Sequence, residues 1–318
     1  MYNIAAIKEN SVVLTKSKDI EGLKIPKESF VWLDIRAKSE KDLAGFKKQF
    51  GIHKLAIEDC IDYKQRPKVE IFEDYILVII KAIEFTTKVE SHHLAVIIGK
   101  NYVATISNNG HALLKELQKR LANEKGKKFA RGPDFLAYLI LDKIVDSYFP
   151  VLDRIEDDIE AVEAKILTKT SQKTVNAIFK ARRNLLLFRK SVWPTRDVFS
   201  VLCRGGTPNI TDKTRVYYRD VYDHIVLSLD LIETYHEMAN EAMEAYMSSI
   251  SNAMNEVIKV LTVIASLMLV PMLITGIYGM NFKLLPASEW EYSFLFSIFL
   301  ILFTIVAMWI WFRRKGWV

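Results

Sequence analysis

The residues of this chain that could perform chemistry form no complete catalytic motif. His236 and Glu237 resemble the start of a zinc-protease helix motif, but the second histidine of that motif is missing. The sequence has neither a Gly-x-x-x-x-Gly-Lys-Ser/Thr loop for nucleotide phosphates nor a Gly-x-Ser-x-Gly nucleophile motif. Its two cysteines, Cys60 and Cys203, are far apart and lack the spacing of metal ligands. We therefore predict a protein that is not an enzyme and holds no organic cofactor.

One short motif, Gly279-Met280-Asn281, combines a permissive backbone with a side-chain amide. Glycine lets other groups approach the backbone closely, and asparagine offers a neutral oxygen acceptor. By itself a tripeptide is a weak sign of a site. Its position is more informative, because it lies between two long uncharged segments near the end of the chain.

These two segments have the length and composition of membrane spans. No charged residue occurs from Val260 to Tyr278 or from Tyr292 to Phe312. About 20 apolar residues cross the hydrocarbon core of a bilayer. Buried core helices are the alternative, but core helices of this length usually carry a polar face, and the second segment has none. We predict two spans and a lipid bilayer as the partner of this region.

Charges at the ends of the spans predict their orientation. The C-terminal tail holds Arg313, Arg314 and Lys315, whereas the loop between the spans holds one lysine and two glutamates. Lysine and arginine are enriched on the cytoplasmic side, which places the tail inside and the loop outside. The N-terminus contains Lys8 and Glu9 and lacks the apolar run of a signal peptide. We predict a multi-pass protein of the cell membrane with both termini in the cytoplasm.

The residues before the spans are typical of an α/β domain followed by an all-helical region. Phe30–Asp34, Ile71–Phe85 and His93–Ser107 are rich in strand-forming residues, and Gly99–Asn101 resembles a hairpin turn. From His111 onward apolar residues recur at helical spacing. The predicted parts are a cytosolic α/β domain (1–130), a cytosolic helical region with a stalk helix (131–256), a first span (257–278), an external loop (279–291), a second span (292–312) and a basic tail (313–318).

Helix breakers are missing from a long stretch that leads into the first span. No glycine occurs from Thr207 to Thr275, and no proline occurs between Pro208 and Pro271. A continuous helix over this stretch would be roughly 90 Å long at 1.5 Å per residue. We predict such a helix, which would connect cytosolic events rigidly to the membrane.

One face of this helix carries residues at steps of three and four positions, and such residues share a stripe. The stripe comprises Asn255, Ile258, Leu261, Ala265, Leu269, Met272 and Gly276, with Tyr278 at its end. A stripe of this kind is usually a helix-packing seam. Because two helices cannot enclose a water-filled path, a conducting protein would need several copies around an axis. The stripe would then line the pore, and its apolar wall could close the pore by dewetting.

The net charge of +6 and pI of about 9.0 are compatible with an anionic partner, either nucleic acid or the inner face of a membrane. An acidic run from Asp153 to Glu163 is followed by a basic run from Lys173 to Lys190. We interpret most of these residues as two solvated helices that pair by charge. The alternative is functional: these charges would create an electrostatic field that attracts or repels cations near a pore exit. No nucleic-acid-binding motif accompanies the charge, so we predict no nucleic-acid partner.

Several segments together resemble one known family. Tyr278-Gly279-Met280-Asn281-Phe282, at the outer end of a span, resembles the signature of the CorA family of magnesium channels. Gln65–Glu70 is similar to the family's N-terminal domain, Arg219–His224 to its stalk helix, and Asn255–Thr262 to its entry into the first span. The basic tail with Trp317 also matches, so the resemblance covers nearly the whole chain.

The resemblance implies a funnel-shaped homopentamer, in which the stalk helix continues as the pore-lining span and the second spans form an outer ring. It also implies uptake of Mg²⁺, with Co²⁺ and Ni²⁺ as further ions, driven by the electrochemical gradient. Gly279, Met280 and Asn281 would form the external selectivity filter. Neutral amide and carbonyl oxygens suit Mg²⁺, which gives up its water reluctantly, because they can hydrogen-bond its water shell without stripping it. Lys283 departs from the family, which often has an acidic residue soon after the motif.

The resemblance further implies that cytosolic Mg²⁺ closes the channel by binding between subunits. Asp59 and Asp220 match family positions at which carboxylates face each other across the subunit boundary. The full set of predicted metal ligands is Glu58, Asp59, Asp146, Asp220 and Asp223. For Asp146 and Asp223, ordinary surface carboxylates are the alternative interpretation.

Two other functions stay open on the sequence. A zinc-transporting relative from the same superfamily is the nearest alternative, although that branch tends to carry a residue other than Met280 in the middle of the motif. A membrane-anchored metal sensor that conducts nothing would explain the spans but would leave the loop motif without a role.

Overall fold

The computed structural model describes residues 2–8, 11–17, 20, 23, 25, 29–123, 131–168, 171–280 and 290–317 of the 318-residue chain. The strands in these residues are β1 Tyr2–Lys8, β2 Ser11–Ser17, β3 Phe30–Arg36, β4 Lys68–Ile71, β5 Tyr75–Phe85, β6 Val89–Gly99 and β7 Tyr102–Ser107. The helices are α1 Ala44–Phe50, α2 Lys54–Ile61, α3 Ala112–Asn123, α4 Pro133–Asp146, α5 Phe149–Thr168, α6 Gln172–Leu202, α7 Asp212–Tyr278 and α8 Ser293–Arg314.

The strands form one sheet in the order β2-β1-β3-β7-β6-β5-β4. Only β3 and β7 pair in parallel among the described neighbours. The predicted hairpin turn is confirmed, because β6 and β7 pair antiparallel with Ile98 opposite Val103. The single strand predicted over Ile71–Phe85 is wrong. The chain turns after β4, where the Phe72 amide donates to the Tyr75 carbonyl (2.9 Å).

Both faces of the sheet are covered, which explains the long apolar runs of its central strands. Along β5, Ile76, Val78 and Ile80 belong to one core, and Leu77 and Ile79 belong to the other. Successive side chains of a strand point to opposite faces. The first core also contains residues of α3, α4, α5, α6 and α7, and the second contains residues of α1 and α2. Strands buried on both faces read as continuous apolar runs rather than as an alternation.

Helix α7 is 67 residues long and continues through Pro271, so the predicted continuous helix is confirmed. Its first turn is capped by Thr211, whose hydroxyl accepts from the Thr214 amide (3.3 Å). The Thr211 amide and hydroxyl in turn donate to Oδ2 of Asp134 (3.0 and 2.8 Å). Asp134 is buried at the start of α4, and it therefore ties the beginning of α7 to another helix.

The chain divides into two compact units. One comprises Met1–Lys165 and Ser171–Ala242, and the other comprises Ile166–Thr170 and Met243–Val318. Helices α7 and α8 are long and apolar enough to cross a membrane. Only 6% of the most apolar window of α7, and none of that of α8, is buried inside the chain. The apolar side chains of these two segments therefore face surroundings other than the protein's own core.

The acidic run lies on α5 and the basic run on α6. The predicted charge pairing between them is wrong for Glu156, Arg182 and Arg189, whose partners lie on α7. Arg189 of α6 pairs with Glu233 of α7 (2.8 Å), and Arg182 donates to Asn240 of α7. Glu156 of α5 accepts a hydrogen bond from the Tyr235 hydroxyl of α7 (2.6 Å). Helix α7 supplies these partners because it packs alongside both helices in the first core.

Candidate ion path and metal-binding site

The Gly-Met part of the predicted filter lies at the C-terminal end of α7. The Gly279 amide donates to the Thr275 carbonyl (2.9 Å), and the Met280 amide donates to the Ile277 carbonyl (3.2 Å). A Cβ atom at position 279 would lie 3.0 Å from the Thr275 oxygen, so any larger residue would crowd the end of the helix. Met280 is half exposed. Asn281 lies outside the described residues, and its role stays a prediction.

The predicted pore-lining stripe is exposed in the single chain. Leu261, Leu269 and Met272 expose 64%, 64% and 70% of their surface. Asn255, Ile258, Ala265 and Gly276 are also exposed, and Tyr278 is partly buried. A stripe of apolar side chains is unfavourable in water, and such surfaces usually meet lipid or another protein chain.

A groove runs along part of this stripe. Leu261, Ala265 and Leu269 line it together with Met308 of α8, and its volume is about 450 Å³. Thr262, Ser266 and Val270 complete the lining. The groove carries no charged side chain among these residues, so it offers a hydrated cation no ionic partner. A wall of this kind can control conduction by excluding water.

The structure brings together three potential metal ligands in the first unit. Asp142 and Asp146 lie one turn apart on α4, and His224 lies on α7. One ligand atom of each residue lies within 4.8 Å of the others, and Nδ1 of His224 is 3.6 Å from Oδ1 of Asp146. Nδ1 of His224 is buried and makes no hydrogen bond to any described residue. These side chains can therefore converge on one ion without breaking existing hydrogen bonds of the histidine nitrogen.

Negative charge is concentrated around this cluster. Burial, together with repulsion from Asp146 and Asp220, raises the pKa of Asp142 to about 6, and the nearby His224 opposes the shift. Burial, Asp142 and Asp220 also raise the pKa of Tyr138 to about 12. A divalent cation would relieve the repulsion. Two carboxylates and water suit Mg²⁺, and an imidazole nitrogen adds affinity for ions such as Co²⁺ and Ni²⁺.

Asp59 lies in a different environment, on α2. Its Oδ1 accepts from Nε2 of Gln65 (2.5 Å), and its Oδ2 accepts from Nζ of Lys68 (2.7 Å). Lys68 also pairs with Glu70 (2.7 Å). Within one chain, Asp59 is therefore held by a lysine that it shares with Glu70, and its neighbour Glu58 is exposed.

Of the predicted metal ligands, the structure thus places Asp146 in the cluster and Asp220 near it. Asp223 is exposed, and its charge acts on Cys203. Sequence reasoning missed Asp142 and His224 as ligands. The signal that could have found them is spacing, since Asp142 and Asp146, and likewise Asp220 and His224, stand four residues apart and share a helix face.

The fold and these features define a class of protein. The chain combines three features that are typical of a membrane transport protein. Its α/β unit has a sheet covered on both faces, α7 leaves that unit as one of two apolar helices, and α7 exposes an uncharged stripe. A family model described as "CorA-like Mg2+ transporter protein" matches residues 27–314. The chain belongs to this family.

Individual relatives agree with this assignment. The chain is 35% identical over 271 residues to the cobalt/magnesium transport protein CorA of Thermotoga maritima, which covers 84% of this chain and 77% of the relative. It is 31% identical over 316 residues to the cobalt/magnesium transport protein CorA of Methanocaldococcus jannaschii, which covers 99% of both chains. The complete structure of the CorA magnesium transporter from M. jannaschii superposes with a TM-score of 0.86 at 30% identity, over 99% of this chain and 98% of the other. The predicted family and the predicted architecture of an α/β domain, a long helix and two C-terminal apolar helices are confirmed.

Proposed function

We propose that this protein takes up Mg²⁺, together with Co²⁺ and Ni²⁺, through a pore formed by several copies of α7. The observation that carries the proposal is the uninterrupted course of α7, which ends at Tyr278, next to Gly279, and exposes an uncharged apolar stripe just before that end. One such helix cannot enclose an ion path. Five copies in a homopentamer would bring five stripes to a common axis, with α8 on the outside toward lipid.

Gly279, Met280 and Asn281 form the external selectivity filter in this proposal. A ring of backbone carbonyls and Asn281 amide oxygens holds Mg²⁺ through its water shell, at little dehydration cost. Carboxylates in the ring would bind the ion more tightly and slow its release. The close approach at position 279 is compatible with this role, because a Cβ atom there would lie 3.0 Å from the Thr275 oxygen and press on the last turn of α7.

Cytosolic Mg²⁺ is proposed to close the pore by binding to the first unit. Asp142, Asp146 and His224 form one binding site, with Asp220 beside it, and Asp59 of a neighbouring subunit completes the contact across the boundary. Without metal, the carboxylates repel one another and the contact loosens. With metal bound, the subunits keep one symmetric packing, and α7 transmits it to Leu261 and Leu269.

The proposed location is the cell membrane, with spans at 257–278 and 292–312, an external loop at 279–291 and both termini in the cytoplasm. The tail supports this orientation, because Arg313, Arg314 and Lys315 follow the second span and basic residues are enriched on the cytoplasmic side. The Arg313 guanidinium lies over the Trp309 ring, 5.3 Å from its centroid, and tryptophan rings favour the membrane–water interface.

The test is transport by the purified protein in liposomes that contain a Mg²⁺-sensitive dye. We expect Mg²⁺ influx that depends on the protein, and a native mass of five chains of 36.7 kDa each. Liposomes without protein are the control. Influx of Zn²⁺ in preference to Mg²⁺ would favour the zinc-transporting alternative, and absence of any flux would favour the non-conducting sensor.

A further inference from the structure

A separate cavity of about 410 Å³ lies in the first unit, away from the carboxylate cluster. It is formed by the segment after α2, by β5 and β6, and by α6. Its charged lining residues are Lys64, Arg66, Lys81 and Lys190, and its described lining contains no carboxylate. Cavities of this size hold small organic ligands. Four cations and no anion indicate a ligand with several negative charges.

The most informative of these residues is Lys81, which is only 8% exposed. Its Nζ donates to the Tyr63 carbonyl (2.7 Å). An ammonium group has three N–H donors, and no described carboxylate lies within ion-pair distance of Lys81. Burial lowers the pKa of Lys81, and Asp62 only partly opposes that effect. A buried cation with one neutral partner is costly to keep, and an anion in the cavity would remove this cost.

The other three cations stand at the rim of the same cavity. Lys64, Arg66 and Lys190 are exposed, and none of them forms an ion pair with a described residue. Four cationic side chains around one cavity produce a positive potential that favours a polyanionic ligand. The lining also includes apolar surface from Val89 and Leu187, which suits a ligand with an organic part.

We propose that this cavity binds a soluble phosphorylated small molecule, with a di- or triphosphate group among the four cations and its organic part against Val89 and Leu187. Arginine and lysine are the side chains that recognise phosphate oxygens. Gln65 lines the cavity and also holds Oδ1 of Asp59. Ligand binding would therefore act on the segment that positions Asp59.

The test uses the full-length protein in nanodiscs of neutral lipid, with EDTA present so that no divalent ion takes part. Calorimetric titration with ATP and with inorganic tripolyphosphate is expected to show binding of both, weaker at higher salt. The double substitution Arg66→Ala with Lys190→Ala should weaken binding about 10-fold or more, because each removes a charge-assisted contact. Both residues are exposed, so the variant should fold, and its thermal midpoint checks this.

The matched control is Lys180→Ala, which removes an exposed lysine of the same helix outside the cavity. This variant should bind both probes as the unchanged protein does. The absence of binding, or equal affinity in the double variant, would overturn the proposal. If the probes bound only in nanodiscs that contain anionic lipid, the phosphate would belong to a lipid headgroup. That result would overturn the proposal of a soluble ligand.

Discussion

Asn281 carries the side-chain oxygen of the proposed filter, so its removal is the most direct test of that site. Asn281→Ala is expected to abolish Mg²⁺ uptake, because alanine keeps the backbone but offers no amide oxygen to the ion's water shell. Dye-loaded liposomes measure the uptake, and native mass spectrometry checks assembly. Ser288→Ala, in the same loop, should transport normally. Normal uptake by a well-assembled Asn281→Ala protein would remove this residue from the filter.

The carboxylates of the first unit test the proposed regulation. Neutralising Asp142 by Asp142→Asn should raise the Mg²⁺ concentration that half-inhibits the current by about 10-fold, since one charged ligand is worth roughly 1–2 kcal/mol. The double variant Asp59→Asn with Asp220→Asn should shift it in the same direction. Patch-clamp recording over a range of cytosolic Mg²⁺ measures both.

Asp157→Asn is the control for these variants, because Asp157 is an exposed acidic residue on α5, outside the cluster. Asp157→Asn should not change the Mg²⁺ concentration that half-inhibits the current. If the Asp142→Asn curve also stays unchanged, the cluster is not the sensor. A shift in the double variant alone would locate sensing at the predicted subunit boundary.

His93 makes the stability of the first unit depend on pH. Burial and the neighbouring Lys81 lower its pKa to about 4. Its Nε2 lies 3.1 Å from the Cys60 carbonyl oxygen and donates to it, because a carbonyl oxygen can only accept. The unfolded chain, with a histidine pKa of about 6.5, takes up the proton first. The contribution of His93 is therefore fully present above pH 6.5 and is lost as pH falls toward 4.

Between pH 7 and pH 5 this linkage should cost about 2 kcal/mol of folding free energy. His93→Gln keeps a donor for Cys60 but cannot titrate, so its thermal midpoint should fall less over that pH interval. His236→Gln changes an exposed histidine and should behave as the unchanged protein. Parallel pH dependence in all three proteins would show that His93 does not contribute to the pH dependence of stability.

The junction of α4 and α7 depends on one buried carboxylate. Oδ2 of Asp134 accepts both bonds from Thr211, and its backbone carbonyl accepts from the Tyr218 hydroxyl (3.0 Å). Asp134→Ala would remove the buried, charged acceptor of both Thr211 bonds and should cost about 2–3 kcal/mol. We expect the thermal midpoint of the purified protein to fall by roughly 5–10 °C.

The nearby Asp212→Ala is the control. Asp212 pairs with Arg215 (2.5 Å), but its side chain is 86% exposed, and exposed ion pairs contribute at most about 1 kcal/mol. If the thermal midpoint decreased equally for both variants, Asp134 would not be the residue that holds the start of α7. A loss confined to Asp134→Ala would show that this single side chain anchors the long helix to the first unit.

For the whole assembly, the prediction concerns the driving force. A doubly charged ion gains about 4.6 kcal/mol for each 100 mV that it crosses, since each unit charge gains about 2.3. With equal Mg²⁺ on both sides, uptake into liposomes should therefore require an inside-negative potential and stop when the potential is collapsed. Uptake that continues without a potential or a gradient would demand another energy source, for which the sequence shows no nucleotide-phosphate loop.

The sequence by itself determined the features that depend on short stretches of chain. Residues 260–278 and 292–312 are uncharged, so their membrane character follows from composition alone. The continuity of α7 follows from the absence of glycine and, before Pro271, of proline. The hairpin at Gly99–Asn101 and the Gly279-Met280-Asn281 motif are also short contiguous stretches, so both can be recognised without the fold. The break at Phe72 was missed, because both flanking segments are apolar and the turn is set by its own hydrogen bond.

The tertiary structure alone decided which distant side chains meet. Asp142 and His224 are brought together only because α4 packs against α7 in the first core. The same holds for Asp134 with Thr211, and for the cavity that surrounds Lys81. The family resemblance predicts that Asp59 faces a carboxylate across the subunit boundary, and within the chain Asp59 accepts hydrogen bonds from Gln65 and Lys68. Such contacts join residues far apart in sequence, and their free energy depends on burial and geometry that only the packed fold supplies.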